Sequence, residues 1–169
     1  MLTLAALLAV VYPGPQSTAV RQLFRDACVA GELRLTPEQG TVVKWETLPE
    51  TIRWLRIGNQ RRDLTTYIKM SSPPSTYVLI TRYPERADGF APSQCIVASR
   101  VMTFEDAAQQ LYEGTPDAYA MPSSYGGQLW EIDMPDQGYI KYLFRTSYDF
   151  LVLQTNVYGQ PKVDAAAKK

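Results

Sequence analysis

The sequence predicts an α+β domain: an antiparallel sheet of five to six strands with two to three helices packed on one face. Three observations predict it. Apolar residues recur at helical spacing over residues 20–28, the period falls to two from Leu64 onward, and the segments of the last third are joined by connections too short for parallel crossovers. A single domain over residues 20–158 accommodates these elements. A chain of 169 residues with 46% apolar and 20% charged side chains can bury a core of its own.

Val20, Leu23, Phe24, Ala27 and Cys28 fall at i, i+3, i+4, i+7 and i+8, which makes one apolar helix stripe ended by Gly31 in a left-handed cap. Thr36-Pro37-Glu38-Gln39 has the order of a capping box with proline at the first helical position, so a short second helix is expected, ending before Pro49 with Trp45 turned inward. Leu64–Met70 alternates as a strand, and Thr76–Arg82, with Tyr-Val-Leu-Ile within it, reads as a second strand after the turn Ser71-Ser72-Pro73-Pro74-Ser75. Gln94–Met102 reads as a third strand. Thr103 then caps a helix with Glu105 and Asp106 in its first turn and Phe104, Ala107, Ala108, Leu111 and Tyr112 as its stripe. Thr115–Gly127, rich in Pro, Ser, Gly and Tyr, reads as a long loop. Gln128–Asp133, Tyr139–Arg145 and Tyr148–Tyr158 follow as a meander, and Gly159–Lys169 as a small polar tail. The order β-β-β-α-β-β-β admits a structural duplication, though no sequence self-similarity accompanies it.

The ten residues Leu2–Val11 form an apolar run too short to span a bilayer, and no charged side chain appears before Arg21. With the small residues Ser17-Thr18-Ala19 after it, the run has the form of a secretory signal over residues 1–19, and no stable membrane span is expected once it is removed. Export to a periplasmic or extracellular space permits disulfides, so Cys28 and Cys95 read as a bridge. Two separate buried thiols are the alternative. No histidine is present to activate either thiol.

That absence of histidine excludes Ser-His-Asp and Cys-His nucleophiles, His-ligated zinc and a histidine general base. No cofactor or metal site is expected. Seventeen basic against seventeen acidic residues give no reason to expect nucleic acid as a partner. The charges are nonetheless segregated along the chain. Arg53, Arg56, Arg61, Arg62 and Lys69 are opposed locally only by Asp63, whereas Glu105, Asp106, Glu113, Asp117, Glu131, Asp133 and Asp136 lie in a stretch without a base. The arginines are candidates for an anion site, the alternative being that the two regions face each other or solvent. Glu131 and Asp133 share a strand face, a spacing too common to identify an acid and a nucleophile.

Aromatics crowd the last third. Alternation over Tyr139–Arg145 assigns Ile140, Tyr142 and Phe144 to the core and places Tyr139, Lys141 and Arg145 on an outer face, a combination able to bind an anion or a glycan. Tyr119 and Tyr125, in the loop of small residues, are the remaining candidate contacts.

The run Leu23-Phe24-Arg25-Asp26-Ala27-Cys28, a second helix reaching Trp45, and a strand entering Cys95 before the Thr103–Glu113 helix resemble small exported proteins and lipoproteins of unknown function from alphaproteobacteria. The resemblance implies an exported, disulfide-bonded protein and adds no activity. This chain lacks the lipid-attachment cysteine of some such proteins. The expectation is therefore a non-enzymatic envelope binding or interaction module, engaging an envelope protein or a small ligand. A periplasmic inhibitor of a cell-wall hydrolase and an enzyme working by carboxylates are the competing expectations.

Overall fold

The computed structural model describes residues 14–55, 62–107, 119–122, 128–134, 138–145 and 150–159. Its frame is an eight-stranded, wholly antiparallel sheet in the order β1-β2-β3-β4-β8-β7-β6-β5. The strands are β1 (Gly40–Val43), β2 (Thr65–Met70), β3 (Thr76–Arg82), β4 (Ser93–Ser99), β5 (Tyr119–Pro122), β6 (Gln128–Met134), β7 (Tyr139–Arg145) and β8 (Leu151–Val157). The α+β class and the six strands expected from alternation are all present. Two strands are additional. β1 replaces the expected second helix, and β5 lies inside Thr115–Gly127, the segment expected to be loop, whose other residues fall outside the described ones.

The strand order has a simple logic. Two four-stranded meanders, β1–β4 and β5–β8, meet along their last strands, β4 and β8, which pair antiparallel over seven residues each. Each meander is preceded by helix: α1 (Pro15–Phe24) before the first, and a turn at 104–107 before the second. The topology is thus an approximate twofold about the β4–β8 seam, with both helical segments on one face.

Position in the sheet explains the burial patterns. β4 and β8 are central and covered on both faces, so Cys95-Ile96-Val97-Ala98 and Leu151-Val152-Leu153 are buried consecutively rather than alternately. On one face α1 contributes Val20, Leu23 and Phe24, the π-helical turn after it (Arg25–Val29) contributes Ala27, and the 104–107 turn contributes Phe104 and Ala107; they pack on Ile68, Met70, Val78, Val97, Leu151 and Leu153. The opposite face is covered too, by Leu48, Ile52 and Leu55 packed on Tyr67, Leu79, Ile96, Ala98, Phe150 and Val152. That second cover comes from a 3₁₀ turn at Trp45–Thr47 and a one-turn helix, α2 (Glu50–Arg53). Each large aliphatic side chain so buried contributes about 1.5–3 kcal/mol. Buried hydroxyls satisfy one another at the rim of the first core: Thr76 Oγ1 and Ser99 Oγ are 2.8 Å apart, and Ser99 Oγ accepts from the Val101 amide at 3.2 Å.

Both outcomes at the N-terminal half follow from local chemistry. α1 begins at Pro15, whose missing amide costs nothing at a first helical position, and gives way to a π-helical turn, Arg25–Val29, closed by the Ala30 amide on the Arg25 carbonyl at 2.8 Å. Gly31 follows at φ +68°, the left-handed stop that its residue type favours. At Thr36 the capping-box glutamine does reach back, Gln39 Oε1 accepting from the Thr36 amide at 3.2 Å, but residues 37–39 form only a turn and no helix follows. Gly40 then enters β1 so close to β2 that a Cβ there would lie 2.8 Å from the Lys69 carbonyl oxygen, and the β-branched Thr41-Val42-Val43 continue as strand. Trp45 is half-buried with its ring 5.4 Å from that of Tyr67.

Cys28, on the π turn, is bonded to Cys95 in the middle of β4, with Cα atoms 5.2 Å apart. The bridge joins the end of the helical layer to the centre of the sheet.

Candidate functional site

The concave feature that emerges among the described residues is a groove of about 480 Å³ beside α1. Ala19, Gln22, Leu23 and Asp26 recur at i, i+3, i+4 and i+7 and form one wall. Glu32, Leu33, Arg34 and Gln39 form the other, and Met70, Ser72 and Pro73, from the end of β2 and the turn after it, close the floor. Backbone bonds fix these walls. The Glu32 amide donates to the Asp26 carbonyl at 2.9 Å, and the Ser71 amide to the Gln39 carbonyl at 2.8 Å. The Gln22 amide group donates to the Asp26 carboxylate at 2.7 Å, which holds that side chain along the rim. Leu33 packs on the first core, and Arg34 is exposed. Polar and charged side chains make up about half of the lining, and the volume falls within the range of roughly 300 to 1,000 Å³ usual for a small-molecule site.

The sequence pointed elsewhere. Arg53 is half-buried on α2 with its Nε lacking a hydrogen-bond partner among the described residues, and Arg62 stacks over the Trp45 ring at 4.4 Å. Both belong to the cover of the second face, on the far side of the sheet from the groove; Arg56 and Arg61 lie outside the described residues. The Glu131 and Asp133 positions share that second face by register, through Tyr142 with Gln154 and through Ile140 with Asn156, but they lie on β6, with β7 between them and β8, whose Val152 is part of the core under α2.

Tyr139, Lys141 and Arg145 lie on β7, Tyr119 lies two strands away on β5, and Tyr125 is outside the described residues. The face expected to be outer is the helix-bearing one: Lys141 pairs with Thr155, and Thr155 pairs with Cys95. Lys141 and Tyr139 are half-buried, with the ammonium nitrogen 5.2 Å from the ring centroid. Burial lowers the lysine's pKa and raises the tyrosine's. Thr155 is 1% exposed and its hydroxyl has no hydrogen-bond partner among the described residues. On the opposite face Asn156 Oδ1 accepts from Gln94 Nε2 at 3.0 Å and from Gln154 Nε2 at 2.9 Å. Among the described residues, no group of three or more His, Cys, Asp or Glu side chains converges as a metal site would require.

The lowered lysine pKa has a testable sign. A base that charges less readily when folded is a liability below its folded pKa, and the liability disappears as pH rises toward the ordinary lysine value. Lys141→Met is therefore expected to raise the unfolding midpoint at about pH 7 and to lose that advantage by about pH 10, measured by thermal scans across that range. A gain independent of pH would assign the effect to packing instead.

The groove escaped sequence analysis because its walls come from four separate segments. Its one legible trace is Glu32-Leu33-Arg34-Leu35, which alternates directly after the Gly31 stop. No protein-family model matches the chain, and no curated protein or solved structure matches it either.

Proposed function

We propose that the protein is an exported, non-enzymatic binding module that takes a small molecule with an apolar body and a polar edge into the groove beside α1. The observation that carries this is the groove itself: Ala19 and Leu33, over the buried Leu23, Met70 and Pro73, offer a small apolar bed, while Asp26, Glu32, Arg34 and Gln39 stand at its edge as hydrogen-bonding and charged groups. A bed of this kind contributes affinity by removing apolar surface from water, and the rim sets orientation. The Cys28–Cys95 bridge supports the exported compartment, because such bonds persist where thiols are oxidised. So does the apolar Leu2–Val11 run.

Two measurements test the proposal. Residues 1–25 fused to a reporter that is active only after export should give signal, and retention in the cytosol would overturn the compartment. With methyl-labelled methionine, amphiphilic small molecules extracted from the envelope should shift the Met70 methyl resonance, and Gln39→Trp, which fills the groove, should abolish the shift. A response confined to Met134, at the end of β6, would move binding away from the groove.

A further inference from the structure

Residues 14–19, at the end of the expected leader, are built into the fold. Pro15 opens α1, the Thr18 amide donates to the Gly14 carbonyl at 3.1 Å, and Ser17 is 3% exposed. The Ser17 hydroxyl donates to the Asp106 carboxylate at 2.5 Å, tying the start of α1 to the helical turn at 104–107 across 89 residues of chain. The first residue beyond a cut after Ala19 is Val20, which has no exposure at all.

Such a cut has three consequences for this packing. It places a new α-amino group, with a pKa of about 8 and so largely protonated at neutral pH, directly on Val20, whose side chain is anchored in the core. It removes the hydroxyl that the Asp106 carboxylate holds, and it deletes the first turn of α1 together with its proline. Ala19, a wall residue of the groove, goes with it.

We infer that residues 14–19 stay in the folded protein as the first turn of α1, and that processing of the apolar leader falls ahead of Gly14. The inference takes from the proposed function only the existence of a processing step; the packing argument stands apart from it. The retained turn then serves two ends, closing the first core at Ser17 and completing the groove at Ala19.

The test uses the whole chain expressed with its leader and recovered from the exported fraction. Intact mass should place the N-terminus at Gly14 or earlier; a chain beginning at Val20 or later overturns the inference. The same preparations are compared as Asp106→Ala and Glu105→Ala. Both substitutions remove a carboxylate from the same helical first turn, so the general effect on that helix cancels. Only Asp106 holds Ser17, and its loss should lower the unfolding midpoint by about 5 °C more than the loss of Glu105. Equal losses overturn the inference, since they mean that Asp106 has no partner left to lose. If the protein stays in the cytosol with its leader intact, the export proposal falls, and the Asp106 comparison still decides whether residues 14–19 are part of the fold.

Discussion

Replacing Cys28 and Cys95 together by alanine is expected to cost about 4 kcal/mol of stability, because the bridge closes a loop across 67 positions and its removal restores that loop's freedom to the unfolded chain. The figure is a large share of what a domain of this size has in hand. Denaturant unfolding with and without a reductant should give the same difference as the double substitution. The loss should also be unevenly distributed. Cys28 ends the helical layer and Cys95 sits at the centre of β4, so α1 loses its covalent tie to the sheet while β3, β4 and β8 keep their ladders. Amide exchange should accelerate first in α1 and the π turn. Protection that falls uniformly across the sheet and α1 alike would show that the bridge acts on the whole domain and not on the attachment of its helix. The groove would change shape with it, since α1 forms one of its walls.

Where one periodicity ran without interruption, the fold was legible. β2 and β7 alternate, and the helical stripe from Val20 to Cys28, on α1 and the π turn, is the stripe that the structure buries. β4 was recognisable for the opposite reason: its continuous apolar run suits a strand covered on both faces. Local signals misled where a neighbour outweighed them. The capping box at Thr36 forms its glutamine bond, yet Gly40 and three β-branched residues favour pairing with β2 over another helical turn. The outward assignment of Tyr139 and Lys141 assumed one solvent face. A sheet with helical cover on both faces has none over its centre, so alternation along β7 could not say which set of residues was out. The seam between two meanders was beyond reach for a related reason. Pairing of β4 with β8 joins residues about sixty positions apart, and nothing local in either strand specifies the other.

Ile52→Ala is the second large effect to expect, about 3 kcal/mol, and it tests the cover of the second face. Ile52 has no exposure and sits among Tyr67, Leu79, Ile96 and Val152 with Leu48 and Leu55 on either side of it in the chain. A one-turn helix such as α2 has no stability of its own, since a single turn does not recover the cost of nucleation. What keeps α2 in place is the set of three aliphatic anchors, with Ile52 in the middle. Removing it both opens a cavity and releases the segment. Trp54, two residues on, is the control. It is larger but 64% exposed, and its indole nitrogen reaches only the Glu50 carboxylate at 3.3 Å, so Trp54→Ala should change stability by no more than about 0.5 kcal/mol. Trp45 reports the event locally, because its ring lies against Tyr67 under Arg62. In Ile52→Ala its fluorescence should change at denaturant concentrations below the global transition. Equal losses from Ile52→Ala and Trp54→Ala would mean that 45–55 rests on the sheet without closing it, and the buried state of Leu79 and Ile96 would then need another cover.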